Sequence, residues 1–200
     1  MATTEDETRR DLRRRALRLE YTTIAWNAFE GAAAIAAGIV AHSVALTAFG
    51  LDSAIEVLAS SVATWQLREG GPHRDRAALR IIGACFLVVA VYVGIAAILR
   101  LMSGKHPHGS PFGIAITAAA VVVMTILGAA KSRLGRVLGN AVLLAEARFS
   151  LVDAGLSATV LLGLALNLAL GWWWADPVAA LAIAMLAVME GFEGVRATGS

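Results

Sequence analysis

Four acidic residues sit inside long apolar runs: Glu30, Asp52, Glu56 and Asp153. A carboxylate at the centre of a bilayer costs about 3 kcal/mol on insertion scales, so packing alone is a poor reason to keep several. Asp52 and Glu56 are four residues apart and share one face of a helix. Like charges at that spacing repel, and either a divalent cation between them or a proton on one relieves the repulsion. A site that exchanges a metal ion for protons would use both states. Depth supports one site: at 1.5 Å per residue, Asp52 falls about 14 Å and Glu56 about 20 Å from Ser43. The same rise puts Glu30 about 16 Å and Asp153 about 18 Å into their own segments. The competing reading is that these acids are protonated or hydrogen-bonded core groups that hold helices together. Four acids at one depth favour the ion site.

Two further residues belong to the same neighbourhood. Glu146 precedes Asp153 by seven residues, about 10 Å along a helix, too far to chelate the same ion. It suits an entry ligand or proton relay, or else a plain interfacial acid paired with Lys131, Arg133 or Arg136. Asn27 lies one turn from Glu30 and could orient it or offer an amide oxygen. Lys105-His106-Pro107-His108 is a weaker metal-collecting candidate, and a solvated loop is the simpler reading.

The elements that must position these groups are membrane helices. The chain has 200 residues, of which 58% are hydrophobic and 16% charged. Soluble domains sit nearer half apolar and about a quarter charged. Six segments reach the roughly 20 residues needed to cross the hydrocarbon core. They are Leu19–Ala41, Ser43–Leu67, Ala77–Met102, Pro111–Ala130, Ala141–Leu168 and Asp176–Val195. Ser110-Pro111 and Asp176-Pro177 each pair an N-cap residue with a proline at the first helical position. The expected fold is all-α, with a basic arm over 1–18, a six-helix domain over 19–195 and a short tail over 196–200.

Charge sets the expected topology. Six arginines from Arg9 to Arg18, then Arg68, Arg74 and Arg76, then Lys131, Arg133 and Arg136 fall on one side, which the positive-inside rule makes cytoplasmic. Both termini are then expected in the cytoplasm, with Trp172, Trp173 and Trp174 as an aromatic anchor at the outer interface. The arm is a topogenic cluster or a binder of anionic headgroups. Ser53, Ser60, Ser61 and Ser157 suit hydrogen bonds between helices, and Gly31, Ala34 and Gly38 suit close packing. His42 falls at the outer face and His73 in an inner loop. Cys85, the only cysteine, reads as a small hydrophobe and excludes an intrachain disulfide. The net charge of +2 belongs to arm and loops, without the basic aromatic face that nucleic acid requires. No serine or cysteine stands with a histidine on these segments, so an intramembrane hydrolase, and an enzyme generally, is not expected.

With the acids placed, the sequence resembles the cation diffusion facilitator family of metal–proton antiporters. Its second helix, Ser43–Leu46 through Leu51-Asp52-Ser53-Ala54-Ile55-Glu56-Val57, resembles that family's site helix, whose two ligands four residues apart fall on Asp52 and Glu56. The stretch Ala145–Asp153 is similar to the other site helix, with its aspartate on Asp153. Gly171–Pro177 resembles the link into the sixth helix. Three departures stand out. Phe149 occupies the position of a ligand histidine, Glu56 stands where Asp or His is usual, and the cytoplasmic domain many members carry is not in the sequence.

The resemblance implies a secondary transporter in the cell (plasma or inner) membrane. It would export a divalent metal cation of the Zn/Mn/Fe/Co class in exchange for protons, as a homodimer and without a resident cofactor. An oxygen-only set of Asp52, Glu56 and Asp153 suits Mn²⁺, Mg²⁺ or Fe²⁺, and zinc also binds carboxylates. Shared depth adds Glu30 as a fourth oxygen ligand. The alternative is a non-transporting membrane subunit or a metal-sensing partner, which Phe149 and the missing domain motivate.

Overall fold

The computed structural model describes residues 2–69 and 75–196. It contains six helices: α1 (Ala2–Ala41), α2 (Val44–Glu69), α3 (Asp75–Ser103), α4 (Pro111–Leu138), α5 (Ala141–Leu170) and α6 (Ala175–Arg196). Five of them carry stretches long and apolar enough to cross a membrane, while the described apolar stretch of α6, Ala175–Met189, is shorter. The expected inner-loop residues His73 and Arg74, the tail beyond Arg196 and the side chain of Cys85 lie outside what is described.

Helix ends follow local chemistry. Ser110 accepts the amide of Gly113 as N-cap of α4, with Pro111 at the first helical position. Gly139 ends α4 and Gly171 ends α5 in the left-handed conformation, which only glycine adopts without steric cost. Asn140 then caps α5.

Three boundaries differ from expectation. The arginine-rich arm is the first part of α1, because Leu12-Arg13-Arg14-Arg15-Ala16-Leu17 are good helix formers with no breaker before Leu19. Helix α4 runs eight residues past Ala130, to the Gly139 stop, so Lys131 is a helical residue rather than a loop charge. Helix α6 begins at Ala175, so Asp176 is not its N-cap.

Asp176 caps α2 instead. Its carboxylate accepts the Ser43 hydroxyl and, through Oδ2, the amides of Val44 (3.0 Å) and Ala45 (3.4 Å). A carboxylate at a helix N-terminus satisfies otherwise orphaned amides and meets the positive end of the helix dipole. The end of the bundle that holds this contact also carries the tryptophans. His106 stacks on Trp173 at 5.3 Å, and Trp172 and Trp174, both half-exposed, stack on each other. The opposite end carries the arginine-rich start of α1 with Arg68, Arg133 and Arg136, while Arg100 lies at the tryptophan end, donating to the His42 carbonyl.

The helices pair mainly as α1 with α2, α3 with α6, and α4 with α5. Small residues make this possible. A Cβ on Gly50 would stand 2.8 Å from the Gly31 carbonyl oxygen, so α1 and α2 touch backbone to backbone. The main apolar cluster draws on all six helices, including Ala34, Phe49, Val93, Ala120, Val160 and Ala180. Alanine contributes much of it, which keeps the helices close and leaves buried polar groups little slack.

Candidate metal centre

Helix periodicity brings the acids inward. On α2, Asp52 and Glu56 are both buried, one turn apart. Asp153 of α5 is fully buried opposite them. Ligand atoms of all three carboxylates lie within 4.8 Å of one another, a separation that one cation can bridge. Neither oxygen of Asp153 has a hydrogen-bond partner among the described residues. Ion pairs of like sign this close repel by about 3 kcal/mol at an effective dielectric constant near 20. A buried carboxylate without donors wants a proton or a cation. The group has the donor chemistry of a hard-cation site: oxygen only, anionic and out of water.

Helix α1 supplies the flank. Its residues Glu20, Thr23, Asn27 and Glu30 recur every three or four positions and are all buried, a polar stripe facing into the bundle. The Asn27 amide donates to Glu56 Oε2 at 2.7 Å, and Asn27 Oδ1 is buried with no hydrogen-bond partner among the described residues. Asn27 therefore orients Glu56, where the sequence had suggested Glu30. Glu30 is fully buried, and neither of its oxygens has a hydrogen-bond partner among the described residues. It lies within the electrostatic reach of Asp52 and Asp153 but outside the group of three that meets within 4.8 Å.

Glu146 is not a plain surface acid. Its Oε2 accepts from Ser60 at 2.9 Å and faces the Lys131 ammonium at 3.4 Å. Lys131 also pairs with Glu20 Oε2 at 3.0 Å. Of the three cations suggested as partners, Lys131 is the one in contact, while Arg133 and Arg136 are exposed. Among the four serines expected to bridge helices, Ser60 does so. Ser53 and Ser61 bond back to Phe49 and Val57 of their own helix, a local option open to serine in any helix. Ser157, one turn after Asp153, has a buried hydroxyl with no hydrogen-bond partner among the described residues.

The loop histidines take other roles than a cluster with the acids. His106 stacks on Trp173, and the rings of His42 and His108 stand 5.5 Å apart. Arg100 donates to the His42 carbonyl, which occupies a tight link with φ of 53°.

Sequence reasoning missed Glu20 and the burial of Lys131. Each lies near the end of an apolar segment, where a charge reads as interfacial. The signal was present in phase: Lys131 follows the buried Met124, Leu127 and Gly128 at helical spacing.

Comparison with known proteins supports the family. Residues 79–200, α3 onward, match the family described as the cation efflux transmembrane domain. The chain is 26% identical over 170 residues to a Synechocystis protein named as an uncharacterized transporter. It is also 26% identical over 154 residues to Transmembrane protein 163 of Xenopus laevis. These alignments cover 80% and 75% of the chain and 55% of each relative, so the chain spans about half the length of the curated relatives it matches.

Proposed function

The chain belongs to the cation efflux (cation diffusion facilitator) family, and from that premise we propose that it carries a divalent metal cation across a membrane. The observation that carries the reading is the buried meeting of Asp52, Glu56 and Asp153 within 4.8 Å. These carboxylates are the cargo's ligands, Asn27 holds Glu56 in place, and Glu30 adds a further negative charge beside them.

Proton exchange follows from the charge balance of such a site. Three buried carboxylates this close cannot all stay ionised without a cation. Metal entry releases protons, and proton entry from the other side releases metal. The arginine-rich end and both termini face the cytoplasm by the positive-inside rule, and the direction is export across the plasma or inner membrane, as the family membership implies. The working unit is a homodimer in the lipid bilayer. With no histidine at position 149, oxygen ligands favour Mn²⁺, Fe²⁺ or Mg²⁺, with zinc as a weaker cargo.

Metal flux into proteoliposomes under an imposed pH gradient tests the reading, using a panel of divalent ions and the Asp52→Asn variant. Wild type should transport at least one ion and depend on the gradient, and Asp52→Asn should lose 100-fold or more. Absence of flux for every ion would instead favour a non-transporting subunit.

A further inference from the structure

Toward the arginine-rich end, a second polar group closes around a lysine. Lys131 of α4 and Glu20 of α1 have no exposed side-chain surface, and Glu146 of α5 is nearly as buried. The ammonium lies 3.0 Å from Glu20 and 3.4 Å from Glu146, and the Ser60 hydroxyl of α2 donates to the same Glu146 oxygen. Carboxylates of α1 and α5 therefore meet one positive charge on α4, and α2 supports one of them through Ser60.

An ordinary buried ion pair sets one carboxylate against one ammonium. Here two carboxylates share one ammonium, and Glu20 Oε1 is buried with no hydrogen-bond partner among the described residues. Burying such a group costs several kcal/mol per ion, and apolar side chains of the same volume would hold the helices as well or better. Stability is therefore a poor explanation of the arrangement. Carboxylate oxygens from two helices holding one cation, one of them fixed by a hydroxyl from a third, describe an ion site.

We propose that Glu20, Glu146 and Ser60 form a second cation site, continuous with the carboxylate centre, and that the Lys131 ammonium is its resident ion. Continuity follows from helix phase. Ser60 is one turn beyond Glu56, Glu146 two turns before Asp153, and Glu20 two turns before Asn27. The proposal deepens the transport reading, on which it rests only for the traffic through the site. A metal ion passing between the arginine-rich end and Asp153 meets a cage already holding positive charge. It advances by displacing a flexible lysine from one carboxylate, rather than dropping into a deep well made by two. Conduction needs binding strong enough to admit an ion and weak enough to release it. Lys131 sets the second condition.

The test is Mn²⁺ stoichiometry by equilibrium dialysis of the full chain in detergent, with helical content and monodispersity checked by circular dichroism and gel filtration. Lys131→Met should bind about one Mn²⁺ more per chain than wild type, and Glu20→Gln/Lys131→Met should return to the wild-type count. A folded Lys131→Met protein with unchanged stoichiometry overturns the proposal. The readout is a difference, so wild type binding no Mn²⁺ would count against the carboxylate centre while leaving this site to be judged separately. Where Lys131→Met fails to extract as folded protein, Mn²⁺ or methylammonium in the extraction buffer should restore it, and restoration by neither also overturns the proposal.

Discussion

Asn27 of α1 donates its amide to Glu56 of α2 across 2.7 Å, and the other polar atom of the same side chain is buried without a partner among the described residues. One residue thereby fixes a carboxylate of the site and leaves an oxygen beside it. Replacing Asn27 with Leu removes a hydrogen bond to a charged acceptor, an interaction of about 1.5–3 kcal/mol. We expect metal affinity to fall about 10- to 100-fold, read by dialysis or competition with a fluorescent chelator. Wild-type affinity in Asn27→Leu would show that Glu56 needs no help.

Glu30 stands beside the three carboxylates rather than among those that meet within 4.8 Å. Its expected contribution is long-range charge, worth less than a direct ligand. Glu30→Gln should slow transport and weaken metal binding without abolishing either, whereas Asp153→Asn should abolish both. A Glu30→Gln protein that transports metal as well as wild type would exclude any role for that carboxylate in the site.

Phe149 precedes Asp153 by one turn and shares its helix face. An imidazole there would supply the nitrogen that the oxygen-only group lacks. Phe149→His should raise the preference for Zn²⁺ over Mn²⁺ at least 10-fold in competition flux assays, following the ligand preferences of the two ions. An unchanged ratio would mean that position 149 does not reach the cargo.

Asp176 holds the first turn of α2 from another helix. Loss of an N-cap typically costs 0.5–2 kcal/mol. Asp176→Ala should lower the thermal unfolding midpoint in detergent by several degrees, with the ligand set intact and metal stoichiometry unchanged. Loss of metal binding in a folded Asp176→Ala protein would instead place this acid in the site.

Much of this was legible in the sequence, for definite reasons. Asp52, Glu56 and Asp153 stood out because a charge within an apolar run has few explanations, and helical spacing put the first two on one face. Segment number and most helix positions followed from hydropathy. The partners were harder. Whether Asn27 serves Glu30 or Glu56 depends on how α1 is rotated against α2, which the Gly31–Gly50 contact sets and no local pattern records. Asp176 looked like a cap for its own helix, since that is what Asp-Pro does locally, yet tertiary packing aims it at α2. Lys131 was read with Arg133 and Arg136 as one basic group, although a 100° step per residue separates the buried member from the exposed ones.

The Asp176 contact has a kinematic consequence. Three donors at the start of α2 grip one carboxylate on α6, and His108 donates its amide to the Ala41 carbonyl at the end of α1. Sliding α2 past α6 would break several hydrogen bonds at once, at the buried side chains of Ser43 and Asp176. The tryptophan-bearing ends of these helices therefore travel together as one joint. Relative motion is left to the arginine-rich end, where α1, α4 and α5 meet through the Glu20–Lys131–Glu146 contacts and a small apolar cluster around Ala16 and Leu143.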